Sequence, residues 1–550
     1  MSRKATSDLW WKNAVIYCLD VETFFDSDGD GWGDLAGLTE RVDYLGGLGV
    51  SCLWLMPFYP SPHRDDGYDI VDFYGVDERL GTLGDLVELV RTARDRGIRV
   101  IADFVVNNTS DQHPWFRSAC ESRDSPYRDF YVWHDKKPKE KPGDVVFPDR
   151  EDSNWAYNRQ AGQWYLHRFY SHQPDLNIAN PRVRDEIAQI MGFWLDLGLS
   201  GFRIDAVPFL IEPVGLSQDA VADPHELLRH LRAYLNRRRG DAILLGEVNL
   251  PAKEQRTFFG DEDGDELHML FDFLGNQALY LSLARGDAGP LRQTLQAAPE
   301  IPPTTALARF VRNHDELTLD QLGEAERGEV FARFGADPSL QLYGRGLRRR
   351  LPPMLDGDPA ALRMVYSLAF SLPGAAVLFY GEEIGMGENL AIEGRMAVRS
   401  PMQWSSEPNA GFSQAGDPAD LSRPITEGAF GPEHVNAAAL RADPDSLLNW
   451  FERLIRRRRE SPEIGFGTLT LLDVDAPSVL AHRCDWEGAT IVAVHELAGQ
   501  AAHVTLAVED GEALVDLFSG DEHALPATLA LERYAARWFR VRRAGQRLPP

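Results

Sequence analysis

Three stretches of the chain place ionisable residues where an apolar segment ends. The first is Gly201-Phe202-Arg203-Ile204-Asp205-Ala206-Val207-Pro208. A guanidinium and a carboxylate are costly to bury in such a run unless they pair or do chemistry. Strand alternation puts Arg203 and Asp205 on one face. Asp205 then reads as a nucleophile that Arg203 keeps ionised, or as half of a structural ion pair. The second stretch, Ala242-Ile243-Leu244-Leu245-Gly246-Glu247-Val248-Asn249, ends in Glu247. Its apolar context suits a carboxyl of raised pKa, the condition for a general acid. The third, Leu307-Ala308-Arg309-Phe310-Val311-Arg312-Asn313-His314-Asp315-Glu316, brings His314 and Asp315.

Several strands, each ending in a carboxylate, fit a (β/α)8 barrel, whose catalytic groups come from the C-terminal ends of different strands. The rest of the chain supplies the other strands. Apolar runs at 14–19, 51–58, 98–106, 202–207, 243–248, 267–273, 306–311 and 375–380 alternate with helical patterns at 38–48, 83–96, 182–197 and 224–237. That rhythm predicts parallel βα units. It breaks between Asn107 and Asn177, in a stretch too long for a plain loop. After about Gly465, short β runs follow at close spacing. The expected organisation is α/β: a TIM barrel from residues 1–106 and 178–464, an inserted subdomain at 107–177 after strand 3, and a C-terminal antiparallel β-sandwich at 465–550.

The formal net charge of −27 argues against a nucleic-acid or anionic-membrane partner. The arginine clusters at 237–239, 348–350 and 456–459 read as solvated helix faces. Cys18, Cys52, Cys120 and Cys484 show neither metal spacing nor a disulfide framework. Residues 1–8 lack the apolar stretch of an export signal, and no run reaches the ~20 apolar residues of a membrane span. A cytoplasmic protein is the expectation. Between the first strand and its helix lies Asp26-Ser27-Asp28-Gly29-Asp30-Gly31-Trp32-Gly33-Asp34. Acids at alternate positions, with glycines that permit a tight wrap, suit a hard cation held by oxygen. Asp26, Asp28, Asp30 and Asp34, with the Trp32 carbonyl, are the candidate ligands, for structural Ca2+ or for Mg2+. No organic cofactor is expected.

Arg203-x-Asp205, Glu247 and Asn313-His314-Asp315, in this order, resemble the α-amylase clan of retaining α-glycosidases and transglycosylases. The likeness runs over almost the whole chain. Phe58-Tyr59-Pro60-Ser61-Pro62, the segment Thr109 to Phe116, the segment His167 to Asn177 and Arg312 to Leu319 are similar to the clan's trehalose synthase subgroup. The resemblance implies Asp205 as nucleophile, Glu247 as acid/base and Asp315 as the third acid, with His314 on the same sugar. It implies Tyr68 as an aromatic platform and a blind pocket end closed by Asp65 paired with Arg399. It also implies a structural calcium at Asn107 and Asp175. The expected substrates are small α-glucosides, maltose and trehalose interconverted with hydrolysis as a side reaction, in a possible homo-oligomer. An exo-acting α-glucosidase or transglucosidase is the alternative, and a silent sugar-binding protein a remote one.

The chain departs from the clan's pattern in three places. Asn108 stands where a histidine is usual, Leu19-Asp20-Val21-Glu22-Thr23 replaces His-Val-Lys-Ser, and the acid/base sits in Gly246-Glu247-Val248 rather than Ala-Glu-Ala. The shorter Asn108 amide is expected to leave the glucose 6-hydroxyl less firmly held.

Overall fold

The computed structural model describes residues 6–140, 145–216, 222–509 and 511–545. The reading of an absent export signal falls partly on residues 1–5, outside these. Eight parallel strands close into a barrel: β1 (Val15–Leu19), β2 (Cys52–Leu55), β3 (Arg99–Phe104), β4 (Gly201–Ile204), β5 (Ile243–Gly246), β6 (Met269–Phe271), β7 (Ala306–Phe310) and β8 (Ala375–Phe379). Each pairs with its sequence neighbours, and β8 pairs with β1. Nearly every strand residue is buried, as strands covered on both faces require.

Several elements are shorter than the apolar pattern suggests. The sixth strand stops at Phe271, because Asp272 accepts from Gly275 N–H and starts the helix Phe273–Arg285. The helix expected over 38–48 is two helices, Leu35–Glu40 and Val42–Leu48, broken at Arg41. The fourth strand ends at Ile204, so Asp205 lies in the turn beyond it. Ala206 there is held left-handed (φ 47°) before the short helix Val207–Ile211. A left-handed alanine is strained, and such strain collects at functional sites.

Between β3 and β4 come the helix Pro114–Glu121 and a three-stranded antiparallel sheet of Trp133–His134, Trp155–Asn158 and Gln163–Leu166. After residue 467 a six-stranded antiparallel sheet faces the pair Ala502–Leu506 and Ala527–Leu531. Val479, Val492, Val494, Leu514, Leu529 and Phe539 pack between them. This β-sandwich meets the barrel at the helix Pro359–Ser371. There His482 Nε2 donates to the Ser371 carbonyl (3.0 Å) and His495 Nε2 bonds Ser367 Oγ (2.9 Å). The two imidazoles stack at 6.2 Å, both fully buried, and neither Nδ1 has a partner among the described residues. Burial pushes the His482 imidazole down to about 4. All four cysteines are buried and free. Among the described residues no helix is long and apolar enough to cross a membrane.

Candidate active site

Register decides which side chains meet at the barrel's C-terminal end. Asp103 on β3 lies opposite Arg203 on β4, and Ile204 lies opposite Gly246 on β5. Asp205 and Glu247, one residue further along each strand, therefore leave the barrel side by side. The backbone continues the pattern, with Glu247 N–H donating to the Ile204 carbonyl (3.1 Å) and Val207 N–H to the Glu247 carbonyl (3.2 Å).

Arg203 gathers three carboxylates. Its Nη1 donates to Asp103 Oδ1 and to Asp205 Oδ1, both at 2.5 Å, and its Nη2 donates to Glu247 Oε2 at 2.7 Å. Glu247 Oε2 also accepts from Ala206 N–H at 3.1 Å, so the strained turn serves the acid. The sequence assigned Arg203 to Asp205 alone and gave Glu247 apolar surroundings. In the structure the guanidinium is shared, and Glu247 is bonded to it. Its side chain, 25% exposed, is the most accessible of the three carboxylates.

Burial pushes the Asp205 carboxyl well above its ordinary range. Arg203 pulls it back down, while Glu247 and Asp103 push it further up. Asp103 is raised for the same first reason. One guanidinium faces three carboxylates, so the Asp205 and Asp103 carboxyls stay raised despite their bonds to it.

Asp103 was missed in the sequence. It is fully buried, and besides Arg203 it accepts from Trp54 Nε1 (3.0 Å) and the Tyr68 hydroxyl (3.2 Å). Its signal was the one used for Asp205: an acid inside an apolar strand, Ile101-Ala102-Asp103-Phe104. The Tyr68 hydroxyl also bonds His314 Nε2 at 2.8 Å, and the two rings lie parallel, 9° apart. His314 Nε2 is 3.1 Å from Asp315 Oδ2. Burial would raise the Asp315 carboxyl, but His314, Arg395 and Arg399 hold it well below its ordinary value.

The pocket end needs a correction. Asp65 pairs with Arg395 rather than Arg399: Arg395 Nη2 donates to Asp65 Oδ1 at 2.6 Å and its Nη1 to Asp315 Oδ1 at 2.8 Å. Arg399 binds the neighbouring acid, Asp66, and reaches Asp315 Oδ1 with Nη2 at 2.9 Å. The reason is local. Asp66 adopts φ 53°, which turns adjacent side chains to different sides, and the 3-10 turn Gly394–Val398 separates the two arginines. Gln173, from the insertion, donates to the other oxygen of Asp65 at 2.9 Å. Arg395 carried no motif, and Gln173 stood in the quoted segment His167 to Asn177 without a role of its own, so neither was assigned to the site in the sequence.

Asn108 is fully buried, and its amide donates to the Tyr68 carbonyl at 3.2 Å. Its side chain is thus engaged in holding the Tyr68 loop. At the glycine-rich loop, carboxylate oxygens of Asp26, Asp28 and Asp34 lie within 4.8 Å of one another. Gly29 (φ 84°) and Gly31 (φ 97°) supply the left-handed turns of the wrap. Asp30 is exposed and accepts from Trp32 N–H at 2.8 Å, apart from that group. The set is all oxygen, the ligand type a hard cation takes, and the Asp26 and Asp34 oxygens also accept hydrogen bonds from Ser27, Asp28, Gly29, Gly31, Gly37 and Ser413. The Asn107/Asp175 pair does not fit such a cation. Arg168 Nε already stands 3.6 Å from Asp175, Arg168 N–H donates to Asp175 Oδ1 at 3.0 Å, and the Asn107 amide nitrogen has no partner among the described residues.

A closed parallel barrel with neighbouring carboxylates on one guanidinium where its strands end is the arrangement of a barrel enzyme, whose groups come from the C-terminal ends of several strands. The chain belongs to the α-amylase family: the family described as Alpha amylase, catalytic domain, matches residues 19–323 and 350–467. It is 43% identical over 480 residues to trehalose synthase/amylase TreS of Mycolicibacterium smegmatis, covering 87% of this chain and 81% of that one. It is 39% identical over 550 residues to trehalose synthase of Pimelobacter sp. (strain R48), covering 97% and 96%. Among solved structures it resembles trehalulose synthase MutB from Pseudomonas mesoacidophila MX-45, with 28% identity and a TM-score of 0.77 over 97% of this chain and 99% of that one.

Proposed function

We propose that this protein is a retaining α-glucosyl-transferring enzyme that interconverts maltose and trehalose, with hydrolysis to glucose as a side reaction. The observation that carries the reading is the pair Asp205 and Glu247 on the two ends of one guanidinium. Retaining chemistry needs two carboxyl groups only about 5–5.5 Å apart, a spacing suited to such a bridge. The two trehalose synthases at about 40% identity over most of the chain support the substrate class.

Asp205 attacks the anomeric carbon, and Glu247 gives its proton to the departing glycosidic oxygen. The glucosyl group is then held on Asp205 as an ester. Glu247, now a base, takes the proton of the incoming hydroxyl as that oxygen attacks the anomeric carbon and Asp205 leaves. If the hydroxyl belongs to the retained glucose, the disaccharide is isomerised; if it belongs to water, two glucose molecules leave. Asp315, fixed by Arg395 and Arg399, is placed to accept hydrogen bonds from the sugar's hydroxyls. The Asp65–Arg395 pair limits the pocket to one terminal glucose unit. A hard cation, calcium or magnesium, is proposed at Asp26, Asp28 and Asp34 as a structural tie.

The test is one incubation with maltose and separation of glucose, maltose and trehalose over time. Trehalose formed faster than glucose is the expected result. Glucose alone would assign the chain to the exo-acting α-glucosidases.

A further inference from the structure

We infer that Arg423 is a positioning residue of this site, acting through Asp66 and Arg399 on Asp315; the inference rests on the reading of Asp315 as a sugar-binding acid. Arg423 lies outside the barrel strands, between the 3-10 turns Pro418–Asp420 and Gly428–Phe430. It is buried, and every polar atom of its guanidinium is used. Nε and Nη2 donate to the two oxygens of Glu22, each at 3.2 Å. Nη1 donates to the backbone carbonyl of Arg399 at 3.0 Å, and Nη2 also binds Asp66 Oδ1.

The second oxygen of Asp66 is bonded to Arg399 Nη1. Arg399 then has Nη2 left for Asp315 and Nε for the His314 carbonyl, at 2.9 and 2.7 Å. Glu22, Arg423, Asp66, Arg399 and Asp315 thus form one line of alternating charge. Glu22, Arg423, Asp66 and Arg399 are all under 10% exposed, and the Asp315 side chain is 16% exposed.

Charge balance says what Arg423 contributes. Arg399 faces two carboxylates, Asp66 and Asp315. With Arg423 neutralising Asp66, Arg399 is free to serve Asp315. Without it, Asp66 would keep only Arg399 as a guanidinium partner among the described residues, Asp20 (3.6 Å from Arg423) and Glu22 would lose theirs, and these buried anions would draw Arg399 away from Asp315. Arg423 also grips the Arg399 backbone, so it fixes both where that residue stands and which way its side chain points.

The same residues look at first like a metal site. Ligand atoms of Glu22, His63 and Asp66 lie within 4.8 Å of one another. Both oxygens of Glu22 and both of Asp66 are already bonded to guanidinium nitrogens. The cation this cluster is built around is Arg423. The pattern was visible in the sequence only as Glu22 standing in a first-strand segment that departs from its usual form.

The experiment measures kcat and KM of Arg423→Ala, Arg423→Lys and Glu22→Gln on whichever α-glucoside the wild type turns over, together with melting temperature. Arg423→Ala should raise KM by about tenfold or more, the size expected for truncating one member of a buried charge pair. Free guanidinium, at concentrations too low to unfold the protein, should restore much of the loss. Arg423→Lys cannot span Glu22 and Asp66 together and should fall between. A folded Arg423→Ala with wild-type KM, or a loss that guanidinium leaves untouched, overturns the inference. If Arg423→Ala does not fold, Arg423→Lys decides: a raised KM supports the relay, and an unchanged KM overturns it. Glu22→Gln, which frees Arg423 for Asp66, should leave KM unchanged or lower, and a raised KM there overturns the inference. Failure of the proposed function appears differently, as a wild type that makes no trehalose from maltose.

Discussion

Arg203 Nη2 donates to Glu247 Oε2 at 2.7 Å while Nη1 of the same guanidinium holds Asp205 at 2.5 Å. Asp205 and Glu247, the proposed nucleophile and acid, thus share one cation, with Asp103 behind them on the same guanidinium. Changing Arg203 or Glu247 alters the charge that Asp205 faces, since Arg203 pulls its raised carboxyl down and Glu247 pushes it up.

The first prediction concerns the nucleophile. Asp205→Asn should lose several orders of magnitude in turnover while keeping its melting temperature near that of the wild type, because covalent catalysis needs the carboxylate. A fluorinated glucosyl donor should label Asp205 in the wild type. Mass spectrometry of the labelled peptide checks it, and label on another residue would remove the assignment.

Opening the pocket end is the second. Arg395 is bonded to both Asp65 and Asp315. Arg395→Ala takes the guanidinium from buried Asp65 and leaves Asp315 with Arg399 and His314, at a cost in folding stability on the order of 3 kcal/mol. Separately, kcat/KM on maltose should fall by roughly tenfold or more, the size of losing one hydrogen bond to a charged group that holds a sugar-binding acid. The wild type should attack disaccharides and chain ends and leave starch viscosity unchanged during early turnover. A rapid fall in viscosity with little small sugar formed contradicts a closed pocket.

Asn108 gives the third. If the shorter Asn108 amide merely held the glucose 6-hydroxyl less firmly, Asn108→His would improve activity by restoring a longer donor. The buried amide bonded to the Tyr68 carbonyl reverses that expectation. A larger ring cannot keep this bond without displacing the Tyr68 loop, and overpacking typically costs about 1–3 kcal/mol. Asn108→His should melt lower than the wild type and bind maltose more weakly. A gain in activity at unchanged melting temperature would return the residue to the sugar pocket.

Metal removal is the fourth. Stripping cations should lower the melting temperature, and the Asp26→Asn variant should melt low regardless of added calcium. Asp175→Asn should not respond to calcium differently from the wild type, since Arg168 is the cation beside it. Thermal melts with and without chelator check both, and indifference of the wild type to chelation would dismiss the loop site.

The fifth is a pH dependence. His482 is neutral and buried between barrel and sandwich, its imidazole depressed from 6.5 to about 4. The unfolded chain takes up this proton first as pH falls. The site's contribution is therefore full above about 6.5 and is lost progressively as pH falls to about 4, a difference on the order of 3 kcal/mol. His495, lowered further still by burial and by His482, adds in the same direction. Urea melts between pH 7 and 4 should show the loss, and His482→Gln should flatten it.

Which parts of this protein could be read from its residues follows from how far each interaction reaches along the chain. The strand ends at Asp205, Glu247 and Asp315, the βα rhythm, the insertion and the sandwich all rest on local periodicity, which the residue order states directly. The trio's order along the chain also sufficed to indicate the family. The Arg203–Asp205 pair could be read from strand alternation, but the partners of Asp65 and Asp66, and the further partners of Arg203 (Asp103 and Glu247), could not. Arg395 and Asp65 are 330 positions apart and Arg423 and Asp66 are 357 apart. Two acids and two arginines that are near neighbours in sequence can be matched in more than one way. The choice fell to the backbone turn at Asp66, the 3-10 turn before Arg399, and the strand register that sets Arg203 between Asp103 and Glu247. Barrel closure fixes that register, and an ion pair in a buried site forms only where the closed backbone brings the charges together.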